Sequence, residues 1–115
     1  MRSDLAMTIF LSPPDSYDGG ELVINLAFGE QEIKLGAGEA VVYPASTLHH
    51  VAPVTRGVRM VAVTWIQCAV RDQVLRGILF DLGQAISNAE ASKDTAAITL
   101  LTKCYHNLLR HCVEP

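Results

Sequence analysis

The hydrophobic pattern of this 115-residue chain changes its period near residue 70, and that change limits the folds open to it. Before this point, short β-prone stretches alternate with turns rich in glycine, proline and aspartate. After it, apolar residues recur at helical spacing. The β-prone stretches predict strands over residues 5–11, 21–28, 31–35, 40–43 and 58–67. Short strands at this spacing are typical of a β-sandwich, a jelly roll or a barrel.

Turn residues predict how the strands connect. The second and third strands form a predicted hairpin across Gly29 and Glu30, and Pro44 is expected to end the fourth. A further turn at Pro53 and Gly57 leads into the last strand. In that strand the alternation of side chains puts one set on a single face: Arg59, Val61, Val63 and Trp65.

The last third of the chain predicts two helices. The first has apolar residues at helical spacing between residues 74 and 82, and the second has them between 98 and 109. Asp94 is the expected N-cap of the second helix. We therefore divide the chain into a partial jelly-roll domain over residues 1–69 and a helical extension over residues 70–115 that packs on the sheet.

Composition excludes several classes of protein. The net charge of −3 gives no electrostatic case for binding nucleic acid or a membrane surface. No apolar run approaches the roughly 20 residues that span a bilayer, and the N-terminus lacks the features of a signal peptide. The three cysteines, an odd number at unrelated spacings, favour buried thiols in a reducing cytoplasm: Cys68, Cys104 and Cys112.

The segment "LHHVAPVTRGVR" carries the candidate chemistry. A neutral imidazole is a common metal ligand, and non-haem Fe(II) oxygenases use two histidines and one carboxylate. An arginine can bind a carboxylate through two parallel hydrogen bonds. With His49 as an iron ligand, a dicarboxylate could therefore chelate the iron at one end and meet Arg59 at the other. Their spacing alone leaves open the alternative of an exposed loop histidine and a solvated arginine.

Several blocks resemble the bacterial PKHD-type hydroxylases, Fe(II)- and 2-oxoglutarate-dependent dioxygenases related to prolyl 4-hydroxylases. These blocks are "FLSPPDSYDGGELVI", "IKLGAGEAVVYP", "STLHHVAPVTRGVRMVAVTWIQCAVRD", "RGILFDLGQAI" and "YHNLLR". The resemblance implies a double-stranded β-helix, or jelly roll, with helices outside it. It also implies Fe(II) as cofactor, 2-oxoglutarate as co-substrate, binding of ascorbate, and hydroxylation of a C–H bond coupled to decarboxylation of 2-oxoglutarate.

By the same resemblance, His49 takes the place of the distal iron-binding histidine, and Arg59 that of the residue that binds the 5-carboxylate of 2-oxoglutarate. His50 stands where the family often carries arginine. The family's other two iron ligands form a His-x-Asp pair upstream of the block that here reads "RSDLAMTIFL". None of the four histidines of this chain begins such a pair.

The chain therefore resembles the C-terminal half of a family member, and the jelly roll is expected to be incomplete at its N-terminus. We assign no catalytic residue, and expect the isolated chain to be inactive unless a companion N-terminal segment completes the site. Four acidic residues could replace the missing ligands, although a charged turn is usually only solvated: Asp4, Asp15, Asp18 and Glu21.

Two functions remain open. The first is an oxygenase module completed by outside ligands. The second is a non-catalytic jelly-roll remnant, or an interaction module that forms a homo-oligomer through an open sheet edge.

Overall fold

The computed structural model describes residues 2–114. They form two compact units, which divide between Gln67 and Cys68 and are described separately. The first unit holds the strands and the second holds the helices. The strands of the first unit are β1 (Leu5–Phe10), β2 (Tyr17–Gly19), β3 (Leu22–Leu26), β4 (Gly29–Ile33), β5 (Ala40–Pro44), β6 (His49–Val51), β7 (Val54–Gly57) and β8 (Val61–Ile66), with a 3-10 turn over Pro14–Ser16.

The strands pair antiparallel in three sheets, with the orders β5-β1-β8, β4-β3-β6 and β2-β7. One buried cluster joins side chains of the two three-stranded sheets, because alternate residues of each strand point to the same side. Its members are Ala6, Phe10, Leu22, Ile24 and Tyr43. This face-to-face packing of antiparallel sheets, together with the C-terminal helices, confirms the prediction of a jelly-roll-like fold.

The predicted hairpin is present, but the position of its turn was wrong. Leu26 pairs with Gly29, so the turn residues are Ala27 and Phe28. Gly29 instead begins β4, with a φ of 130°. A glycine that follows a tight turn accepts this conformation without the steric cost that a Cβ would add.

Two other predicted breaks belong to strands. Pro44 pairs with Leu5 as the last residue of β5, an end strand of its sheet in the described residues, where a proline is tolerated. The turn predicted at Pro53 and Gly57 was also wrong in part, since β7 ends at Gly57 and pairs with β2. Pro44 thus ends its strand as predicted, within one residue, whereas tertiary pairing overrides the local turn signal at Gly57.

Two helices form the second unit, α1 (Gln73–Ala91) and α2 (Thr95–Cys112), and they contact each other. Asp94 caps α2 by accepting a hydrogen bond from the backbone N–H of Ala97, as predicted, and Asp72 caps α1 in the same way. Neither helix is long and apolar enough to cross a membrane, within the part of the chain that is described. Packing of these helices on the sheet stays a prediction.

The expectation of buried thiols was wrong. Cys104 is exposed on α2, and Cys68 and Cys112 are only half-buried. None of the three forms a disulfide among residues 2–114. Helical spacing placed Cys104 and Cys112 on a helix, but it did not show which face of that helix is covered.

Gly57 provides a test of the β2–β7 pairing. Its φ is 74°, and a Cβ there would overlap the backbone oxygen of Ser16. The left-handed conformation alone costs an L-residue about 1–2 kcal/mol. We expect Gly57→Ala to lower the free energy of unfolding by more than Gly38→Ala. Gly38 has a φ of 85°, but no described atom lies within 4 Å of its Cβ position. Equal losses in urea denaturation would contradict a role for the Ser16 overlap.

Candidate functional site

His49 opens β6 on the inner side of its sheet. It pairs directly with Ile24, a member of the core, and side chains that oppose each other in an antiparallel pair share a face. The ring of His49 meets the ring of Tyr43 from the other large sheet edge-on, at a centroid distance of 5.0 Å. The imidazole nevertheless stays exposed. It therefore lies on the inner face and remains accessible to a ligand.

The tautomer of His49 follows from its one hydrogen bond in the described residues. Nδ1 lies 2.8 Å from the carbonyl oxygen of Thr47. A carbonyl oxygen only accepts, so Nδ1 carries the proton and donates it. In the neutral ring this leaves the lone pair on Nε2, which is the arrangement in which backbone carbonyls orient metal-binding histidines. His50 pairs with Val23 and points to the opposite face.

Arg59 lies just before β8 and packs its side chain into the interior. Its guanidinium carbon is 5.7 Å from the centre of the Phe10 ring, and its Cδ is 3.0 Å from the position that a Cβ would take at Gly20. Its Nε is buried and has no hydrogen-bond partner among the residues described. A buried donor without an acceptor is costly. The side chain therefore fits a site for an anion.

Ser12 holds the backbone on both sides of Arg59. Its hydroxyl accepts a hydrogen bond from the N–H of Met60 at 2.9 Å and donates one to the carbonyl of Val58 at 3.2 Å. The N–H of Leu11 also donates to the carbonyl of Met60 at 3.0 Å. These bonds explain why β8 begins at Val61 and not at residue 58, as the sequence predicted. They also give Ser12 a role in placing Arg59.

The inner face is incompletely covered beside β8. Val61, Val63 and Trp65 oppose buried residues of β1, which confirms the predicted alternation within this strand. Val63 is nevertheless 49% exposed and Trp65 58% exposed. Large apolar side chains on an inner sheet face are usually covered, so this stretch is a candidate contact surface.

The acidic residues do not gather into a metal site. Arg56 donates to both carboxylate oxygens of Asp18, at 2.8 and 3.1 Å. These hydrogen bonds hold the pKa of Asp18 below its usual value. Asp4 forms an ion pair with Arg2 at 3.2 Å. No group of three or more histidine, cysteine or acidic side chains within residues 2–114 is placed to hold a metal ion.

The structure thus places His49 on β6 and Arg59 just before β8, with β7 between them in the chain, and residues 2–114 hold no group of three metal-binding side chains. The sequence analysis missed Ser12. A serine directly after a strand is an ordinary turn residue, and its bonds to residues 58 and 60 join distant parts of the chain. Only the strand pairing identifies them.

Comparison with known proteins agrees with this geometry. A sequence model of the 2OG-Fe(II) oxygenase superfamily matches residues 1–67, and one of the PKHD-type hydroxylase C-terminal domain matches residues 74–114.

Curated relatives carry the same family name. A PKHD-type hydroxylase of Paraburkholderia phymatum is 55% identical over 111 residues, covering 96% of this chain and 49% of the relative. One of Rhizorhabdus wittichii is 54% identical over 116 residues, covering 99% and 51%. The PKHD-type hydroxylase YbiX of Escherichia coli O157:H7 is 50% identical over 118 residues, covering 99% and 52%.

The chain spans about half the length of the curated relatives it matches. Both of its units match family models, the strands to the oxygenase and the helices to the C-terminal domain. The chain belongs to the 2OG-Fe(II) oxygenase superfamily and, within it, to the PKHD-type hydroxylases.

Proposed function

We propose that this chain supplies part of the active site of an Fe(II)- and 2-oxoglutarate-dependent dioxygenase that hydroxylates a C–H bond. The observation that carries the proposal is the buried Nε of Arg59, which has no acceptor among the described residues. Family membership supports the same chemistry. The bound iron would supply the activation of O2 that couples decarboxylation of 2-oxoglutarate to hydroxylation.

His49 serves as one iron ligand through Nε2. The hydrogen bond from Nδ1 to the carbonyl of Thr47 keeps the proton away from Nε2 in the neutral ring and limits rotation of the imidazole. The edge contact with Tyr43 restricts the ring further. Both contacts prepare the ligand before metal binds.

Arg59 binds the distal carboxylate of 2-oxoglutarate. A guanidinium matches the two oxygens of a carboxylate with parallel, charge-assisted hydrogen bonds. The Phe10 ring beneath it and the backbone of Gly20 beside it exclude water from part of the group. Lower water access strengthens the attraction between the cation and the anion.

The other iron ligands come from a companion segment with a His-x-Asp pair. Two observations support this part of the proposal: residues 2–114 hold no group of three metal-binding side chains, and the inner face is exposed at Val63 and Trp65. The same exposed face favours the second candidate, an interaction module that forms a homo-oligomer.

We extend the proposal to the binding of ascorbate, on the basis of family membership, and to a cytoplasmic location, which the odd number of cysteines favours.

Iron binding tests the role of His49. The visible charge-transfer band of iron-chelated 2-oxoglutarate is followed during anaerobic titration. The chain alone is compared with the chain joined to the upstream half of the Paraburkholderia phymatum relative. We expect a band only in the joined protein, lost in His49→Ala and kept in His50→Ala, because His50 points to the other face. A band that survives His49→Ala would exclude this ligand, and a saturable band in the chain alone would show that it needs no companion.

Co-substrate binding tests the role of Arg59. We expect Arg59→Ala to weaken 2-oxoglutarate binding by about 10- to 100-fold, because a charge-assisted hydrogen bond contributes roughly 1.5–3 kcal/mol. Arg56→Ala is the matched control, since Arg56 is exposed and bound to Asp18. Isothermal titration of both variants in the joined protein measures the change. Unchanged affinity in Arg59→Ala would contradict the assignment.

Ser12 acts on the co-substrate through the position of Arg59. Ser12→Ala removes both hydroxyl hydrogen bonds around residue 59, and we expect about a 3- to 10-fold loss of 2-oxoglutarate affinity. Ser12→Thr keeps a hydroxyl and is expected to restore most of it. Ser16→Ala is the control, because the Ser16 hydroxyl bonds only to the carbonyl of Pro13 in the described residues. A loss of thermal stability without a loss of affinity would assign Ser12 a structural role alone.

A further inference from the structure

Tyr17 is the largest side chain that is almost completely buried in the strand unit, at 1% exposed, and its hydroxyl makes no hydrogen bond to any described residue. Buried tyrosine hydroxyls usually find a partner, because leaving one unpaired costs about 1–3 kcal/mol. The proposed roles of His49 and Arg59 do not use this group. The residues around Tyr17 therefore have to explain why its hydroxyl is buried without a partner among the described residues.

The ring of Tyr17 is held firmly. The ammonium group of Lys34 lies 4.2 Å from the ring centre and donates a hydrogen bond to the backbone carbonyl of Tyr17 at 2.7 Å. In addition, β2 pairs Tyr17 with Gly57. These contacts fix the backbone and one face of the ring, but leave the hydroxyl itself without a described partner. The ring that bears the hydroxyl is thus held in place before any ligand binds.

Gly20 links Tyr17 to Arg59. A Cβ at Gly20 would lie 3.1 Å from Cε2 of Tyr17 and 3.0 Å from Cδ of Arg59. Gly20 has a φ of 70°, a conformation that favours glycine. The two side chains therefore approach each other across a residue that has no side chain of its own. Each bears a buried donor that finds no acceptor in residues 2–114, the hydroxyl of Tyr17 and the Nε of Arg59.

We infer that the Tyr17 hydroxyl is a second donor to the distal carboxylate of 2-oxoglutarate, next to the guanidinium of Arg59. A carboxylate has two oxygens with several acceptor positions, so it can satisfy both donors at once. The ammonium of Lys34 adds positive charge beside the same ring. This inference rests on the proposed function and adds a residue that selects for a dicarboxylate.

The Tyr17 hydroxyl should also affect the stability of the ligand-free chain. A hydroxyl that serves the folded chain would stabilise it, and its removal would lower the melting temperature. A hydroxyl that serves only a ligand is a burden in the free protein, because it is buried without a partner. Removing it should leave the melting temperature of the free chain unchanged or raise it.

The test compares Tyr17→Phe with Tyr105→Phe, which makes the same chemical change in the helical unit. Ligand-observed NMR titration of the protein joined to the upstream half of the Paraburkholderia phymatum relative measures the dissociation constants of 2-oxoglutarate and of glutarate. Glutarate keeps the two carboxylates but lacks the 2-oxo group that chelates a metal. We expect Tyr17→Phe to weaken both ligands by about tenfold, without a lower melting temperature in the free chain. Tyr105→Phe should change neither affinity.

Arg59→Ala separates the two levels of the proposal. If it loses 2-oxoglutarate while Tyr17→Phe binds as well as the unsubstituted chain, the inference about Tyr17 is overturned and the proposed function stands. If the unsubstituted joined protein does not bind 2-oxoglutarate, the proposed function of Arg59 fails and the inference fails with it. A weaker glutarate affinity in Tyr17→Phe alone, with the Tyr105→Phe control unchanged, supports the inference.

Discussion

Phe10 lies at the point where the core and the candidate site meet. It is completely buried between the two large sheets, among Leu22, Ile24 and Tyr43. The same ring lies beneath the guanidinium of Arg59. Truncating a phenylalanine in such a core costs about 3–5 kcal/mol. The packing that stabilises the sandwich therefore also provides the support on which the anion-binding side chain is placed.

The candidate site is distinguished by buried polar groups that have no hydrogen-bond partner among the described residues. Interiors normally satisfy their donors, so each exception calls for an explanation. Here Arg59 and Tyr17 each bear such a donor, and both adjoin Gly20. His49 differs, because its exposed imidazole is oriented by the carbonyl of Thr47. In the function we propose, the site would combine an oriented metal ligand with buried anion donors, and a bound anion would supply the acceptors that the described residues do not.

Different physical signals explain which expectations succeeded. Strands and helices were predictable because apolar periodicity reflects burial on one face, and the N-cap at Asp94 was predictable because capping is local. Local patterns did not predict three other features correctly: the hairpin turn near Gly29, the pairing of Gly57 and the exposure of the cysteines. Those depend on which segments pair and which faces are covered, as when β7 takes Gly57 into a ladder with β2.

The sequence by itself determined the fold class and the family, and it gave the two candidate residues on which the proposed function rests, His49 and Arg59. Periodicity and motif resemblance are properties of neighbouring residues, so they can be recognised in the sequence without the structure. Only the tertiary structure decided that Ser12 braces the segment around Arg59, that Thr47 selects the tautomer of His49, and that Tyr17 approaches Arg59 across Gly20. The contacts of Ser12 and Tyr17 join residues far apart in the chain, and the short-range bond between His49 and Thr47 depends on side-chain geometry that no sequence pattern states.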